Sequence, residues 1–161
     1  MSWQQQRTLE TGARPSDFEL EDLKGQVQSL KHLLAGGPVL LAFFKISCPV
    51  CQLTFPYLQR LHESAGGKLH VVGVSQDDSS ATTRFNGECG VAFPTLIDRS
   101  GYPVSNAFGI QSVPSLFLVE PDGKISLAGT GFSKKDLETI GARLGATPFR
   151  PGEKVPEYKP G

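Results

Sequence analysis

Two short apolar runs constrain this chain more than any other feature: "VLLAFF", Val39–Phe44, and "LHVVGVS", Leu69–Ser75. Neither alternates between apolar and polar, so each reads as a strand covered on both faces. Between them Leu53, Tyr57, Leu58 and Leu61 fall on one helical stripe, and Gly66-Gly67 stops it. Two strands joined by a helix make a βαβ unit, the element from which α/β sheets are built.

The rest of the chain extends that unit. "FELEDLKGQVQSL" alternates around Lys24-Gly25 and predicts a hairpin, followed by a short helix from Ser29 through Leu34 that Gly36-Gly37-Pro38 breaks. Ser79 or Ser80 can cap a helix reaching Glu88, "PTLID" is a short strand, and 98–109 reads as a turn and a short helix. A second hairpin has strands Ser115–Val119 and Lys124–Ala128 around the turn Pro121-Asp122-Gly123. Ser133 and Asp136 resemble a capping box, Leu137, Ile140 and Leu144 form a helix stripe, and Gly145 ends it. The expected fold is α/β, a central mixed sheet with helices on both faces and an N-terminal β-hairpin extension. Three segments follow: a polar lead-in over 1–16, one domain over 17–146, and a Pro-rich tail over 147–161, read as an extended surface strap or a disordered end.

Composition excludes several function classes. Within 161 residues, 16 basic and 16 acidic side chains balance to zero net charge, which gives no electrostatic argument for nucleic acid or an anionic membrane. The chain lacks a run of eighteen apolar residues, and "MSWQQQRTLE" has no apolar core of a signal peptide, so the expectation is a cytosolic protein without membrane partners. His32, His62 and His70 are far apart in sequence, and there is no phosphate loop, dinucleotide fingerprint or calcium loop. No cofactor or metal is expected.

Chemistry concentrates in "CPVC", Cys48 to Cys51, directly after the first apolar run. Helical spacing puts both sulfurs on one side of a first turn, with Cys48 near free backbone N–H groups and the positive end of the helix dipole. That setting favours a thiolate, and Pro49 fits a first-turn position because its missing N–H costs nothing there. An exposed attacking sulfur with a second thiol behind it is the arrangement needed for disulfide exchange. A zinc site would need further ligands, and only lone Cys89 is left. A structural staple closing so short a loop would constrain little. The second candidate is Val113-Pro114, which opens a predicted strand. A trans proline starting a strand is the plain reading. A cis bond would leave the Val113 backbone open to pair with an extended polypeptide held across the cysteines.

Taken together, "GARPSDFELEDLKGQVQSL", "LLAFFKISCPVCQLTFP", "VVGVSQDD", "FPTLID" and "YPVSNAFGIQSVPSLFLVEPDGKI" resemble the thioredoxin-fold AhpC/TSA–redoxin group, and within it the TlpA/ResA-like thiol-disulfide oxidoreductases. The resemblance covers roughly Gly12 to Gly145. It implies Cys48 as nucleophile, Cys51 as resolving thiol, Pro114 as the cis proline, and Pro49, Val50, Val113 and Pro114 as the substrate-binding rim. It also implies a disulfide-containing protein or small-molecule substrate, a separate reductant for recycling, and Pro56 as the proline that kinks the active-site helix. This chain departs from thioredoxins at Pro49-Val50, at Ser47 where they carry Trp, and at Ala42 where they bury an Asp that moves protons. Asp77 and Asp78 are candidate relays, with a solvated loop or helix-cap role as the plainer reading. Two alternatives stand beside this one. A peroxiredoxin-like peroxidase would need P-x-x-x-T-x-x-C; registering Cys51 puts Phe44 and Cys48 at the Pro and Thr positions, and registering Cys48 puts Leu41 and Lys45 there. A non-enzymatic thiol redox sensor or binding module would use the pair only as a switch.

Overall fold

The computed structural model describes residues 7–161. Its elements run β1 (Glu19–Asp22), β2 (Val27–Ser29), α1 (Leu30–Leu34), β3 (Val39–Phe44), α2 (Pro49–Ala65), β4 (His70–Ser75), α3 (Ser79–Cys89), β5 (Thr95–Ile97), α4 (Pro103–Phe108), β6 (Ser115–Val119), β7 (Ile125–Thr130), β8 (Phe132–Ser133), α5 (Lys134–Arg143) and β9 (Tyr158–Lys159).

Seven strands form one mixed sheet in the order β2-β1-β5-β4-β3-β6-β7. The parallel core β3–β4–β5 is the βαβ repeat expected from the apolar runs, and the two hairpins add antiparallel strands at either side. β3 lies inside the sheet, and all six of its residues are buried. Its alternation divides the core. Leu40, Ala42 and Phe44 join Phe55, Leu58 and Leu61 of α2, Phe85 of α3, and Leu137 and Ile140 of α5. Val39, Leu41 and Phe43 face the other way, onto Leu30 of α1 and Val104 and Phe108 of α4. One continuous apolar strand therefore needs helices on both faces, because its side chains point alternately to each.

Local signals end the helices where their chemistry requires. Ser29 Oγ accepts from His32 N at 3.0 Å, and Ser133 Oγ accepts from Asp136 N at 3.1 Å. α3 is capped one residue earlier than the serines suggest: Asp78 accepts from Ala81 N at 2.7 Å. A carboxylate is the better partner there, since it complements the helix dipole as well as the free N–H. α2 continues through Pro56, whose ring nitrogen cannot donate the hydrogen bond that would close on Gln52.

Both flanking segments are laid on the domain. In the lead-in, Leu9 N donates to Phe108 O at 3.0 Å and Gly12 N to Ile125 O at 2.8 Å; residues 1–6 lie outside the described residues. In the tail, Pro148 is buried, Phe149 packs between Tyr57 and Phe132, and β9 pairs antiparallel with β8. Arg60 of α2 holds Glu153 through two guanidinium hydrogen bonds, at 2.7 and 2.9 Å, and also donates to Pro148 O at 2.9 Å. The 147–161 segment is thus an extended strap crossing α2.

Candidate active site

Cys48 is the N-cap of α2, with extended backbone angles (φ −91°, ψ 112°) that turn the chain out of β3 and into the helix. Its sulfur accepts from Cys51 N at 3.2 Å, as a capping side chain does. The same sulfur donates to Val113 O at 3.3 Å, and the Val113–Pro114 peptide bond is cis. Of the two isomers left open by the sequence, the structure has the one that turns the Val113 backbone toward the cysteines. Cys48 and Val113 are half-buried, Pro49 is exposed, Val50 is half-buried and Pro114 is buried, so these five residues, with Cys51 beneath, make one contiguous rim.

The two thiols differ in surroundings. Cys51 is fully buried among Ala42, Phe44, Phe55 and their neighbours. Burial pushes its thiol well above the usual range, and the adjacent Cys48 sulfur adds to the shift. Ala42 on β3 is equally buried, so the strand beneath Cys51 brings no carboxylate to this cluster. Cys89, at the end of α3, is half-buried; burial raises its thiol too, with Glu88 contributing.

The loop that presents Cys48 is held from both sides. Asp77 Oδ2 accepts from Ile46 N at 2.8 Å, and Gln52 Nε2 donates to Ile46 O at 3.2 Å. Neither acidic relay candidate reaches Cys51 through a hydrogen bond: Asp77 positions the nucleophile loop, and Asp78 caps α3. Lys45 is exposed and lines a small cavity of about 80 Å³ with Gln76, Ile110, Gln111, Ser112 and Val113. On the far side of the proline, Gly131 N donates to Pro114 O at 2.8 Å. Gln52 and Gly131 carry no signal in the sequence, since their partners are backbone groups of distant segments.

The three histidines, scattered along the chain, line one surface groove, yet among the described residues no group of three or more His, Cys, Asp or Glu is placed to hold a metal ion. A sulfur at a helix N-terminus, a buried second thiol one turn behind it and a cis proline beside them are parts that disulfide exchange uses.

This fold and its dithiol define a thioredoxin-like protein. The AhpC/TSA family model matches residues 11–128, and the chain belongs to that family. Thiol-disulfide oxidoreductase ResA of Halalkalibacterium halodurans is 32% identical over 122 residues, covering 74% of this chain and 68% of the relative. Among solved structures, Peroxidoxin BcpB from Mycobacterium tuberculosis aligns with a TM-score of 0.74 at 25% identity, covering 85% of this chain and 97% of that one. A putative thiol:disulfide interchange protein DsbE from Chlorobium tepidum aligns with a TM-score of 0.71 at 26% identity, over 85% and 96%.

Proposed function

We propose that this protein is a thiol-disulfide oxidoreductase in which Cys48 attacks and Cys51 resolves. The observation that carries this reading is Cys48 Sγ at the helix N-terminus, 3.3 Å from the Val113 carbonyl beside the cis proline, with Cys51 one turn behind it. The Cys48 thiolate attacks one sulfur of the substrate disulfide, forming a mixed disulfide and releasing the other sulfur as thiolate. Cys51, once deprotonated, attacks Cys48 Sγ and expels the second substrate thiolate. Two electrons pass to the substrate, a Cys48–Cys51 disulfide remains, and a separate dithiol reductant restores it. Pro49, Val50, Val113 and Pro114 form the rim on which the substrate rests. The substrate is a disulfide in a protein or a small molecule.

A peroxidase reading has one supporting observation, the likeness to a peroxidoxin structure. Against it, the positions that would carry Pro and Thr hold Phe44 and Cys48 in one registration and Leu41 and Lys45 in the other. Val113-Pro114 stands where peroxiredoxins usually carry Arg. The test assays disulfide reduction and peroxide consumption side by side. Cys51→Ser should accumulate a mixed disulfide with substrate and Cys48→Ser should not. Fast peroxide turnover with negligible disulfide exchange would overturn the proposal. A reversible Cys48–Cys51 bond with turnover of neither would make the pair a sensor.

A further inference from the structure

We infer that the 147–161 strap determines which disulfides reach Cys48, admitting small ones and excluding extended polypeptide from the Val113 edge. This rests on the oxidoreductase reading above and adds an element outside the region matched by the family model, which spans 11–128.

The strap follows one path across the site. It is clamped to α2 by the Arg60–Glu153 ion pair and by Arg60 to Pro148 O. Further along, Lys134 N donates to Glu157 O at 3.0 Å, and Ser133 and Phe132 pair with Tyr158 and Lys159. It then crosses Gly131, whose left-handed backbone (φ +74°) and missing side chain permit the approach. A Cβ there would run into Lys159 O and stand 3.1 Å from the Tyr158 hydroxyl and 3.2 Å from Pro160 Cα. Next, Gly161 lies on the cis-proline loop: a Cβ on it would collide with the Val113 carbonyl and stand 3.3 Å from Pro114 N. That carbonyl is the acceptor already 3.3 Å from Cys48 Sγ.

The consequence is steric. An extended substrate strand pairs through main-chain groups at the Val113 edge. Gly161 and its neighbours occupy that edge, so such a strand must first displace 158–161. A small disulfide needs only the sulfur of Cys48, a residue that is half-buried rather than closed off beside the strap. The clamp that resists displacement, Arg60–Glu153, lies well along α2 from the cysteines, so it can be weakened without touching the dithiol.

The test compares second-order rate constants for oxidation of the reduced protein by hydroxyethyl disulfide and by insulin, read by quenched thiol alkylation. Glu153→Gln, Arg60→Ala and a chain ending at Thr147 are measured beside the wild type. Loss of one partly exposed ion pair should raise the insulin rate about fivefold, and removal of the strap should raise it further. The hydroxyethyl disulfide rate should stay within about twofold, and a circular dichroism melt of each variant reports that it is folded. An unchanged insulin rate in all three variants, or equal change with both substrates, overturns the strap's role while leaving the oxidoreductase reading in place. Failure of the wild type to react with either disulfide overturns both.

Discussion

Raising the pH from about 6 to about 8 should accelerate the resolving step about 100-fold, because only the thiolate attacks and its population grows tenfold per unit below the thiol pKa. The structural basis is Cys51. Its side chain is fully buried, and burial is the foremost cause of its upward shift. The Cys48 contribution disappears once Cys48 is bound in a mixed disulfide, but the desolvation remains, so the thiol still titrates above neutrality. Ala42 places no carboxylate beneath it, and Asp77 and Asp78 are engaged with Ile46 N and Ala81 N. The assay mixes reduced protein rapidly with a chromogenic aromatic disulfide. The first equivalent of released chromophore reports attack by Cys48, and the second reports resolution by Cys51. A logarithmic slope near one for the second phase is expected across this range. A plateau near neutral pH would refute the reasoning, since it would mean that a proton acceptor reaches Cys51. Ala42→Asp should supply such an acceptor and flatten the profile.

Phe55 is fully buried on α2, with its ring 4.4 Å from Phe44, 5.5 Å from Phe85 and 5.7 Å from Phe93. Phe55→Ala should cost about 4 kcal/mol, which a urea titration would read as a midpoint lowered by roughly 2 M; a loss below about 1 kcal/mol would contradict this packing. Glu153 is held down to about 2, first by the Arg60 guanidinium and then by the Arg150 amide. Its depressed pKa means the clamp is complete above the ordinary carboxylate range and is lost as pH falls toward about 2. The amide resonance of Lys134, bonded to Glu157 O, should shift over that acid window, and Arg60→Ala should move the transition upward.

Most of the architecture was legible because its signals are local. The continuous run Val39–Phe44 implied cover on both faces, and the stripe after the cysteines implied the intervening helix. Ser29 and Ser133 marked helix starts through hydrogen bonds that span only three residues. The cap of α3 was legible only as a choice among Ser79, Ser80 and the carboxylates before them, since each can accept from a first-turn N–H, and the fold selects Asp78. The cysteine pair was legible as a redox couple from its place at a strand-to-helix junction. The support beneath it was not: Asp77 meets Ile46 across 31 residues, and nothing in either local sequence marks the other as partner.

By itself, then, the sequence determined the strands of the seven-stranded sheet, the helices and the placement of Cys48 at a helix start, since periodicity and capping act over a few residues, whereas the β8–β9 pair carried no local signal. The tertiary structure decided what faces that sulfur. Val113 O reaches it from 65 residues away through the pairing of β3 with β6. Glu153 reaches Arg60 from 93 residues away and lays the strap toward the same carbonyl. Such meetings depend on sheet order and on the packing of side chains far apart in the chain, and neither is written in any local pattern.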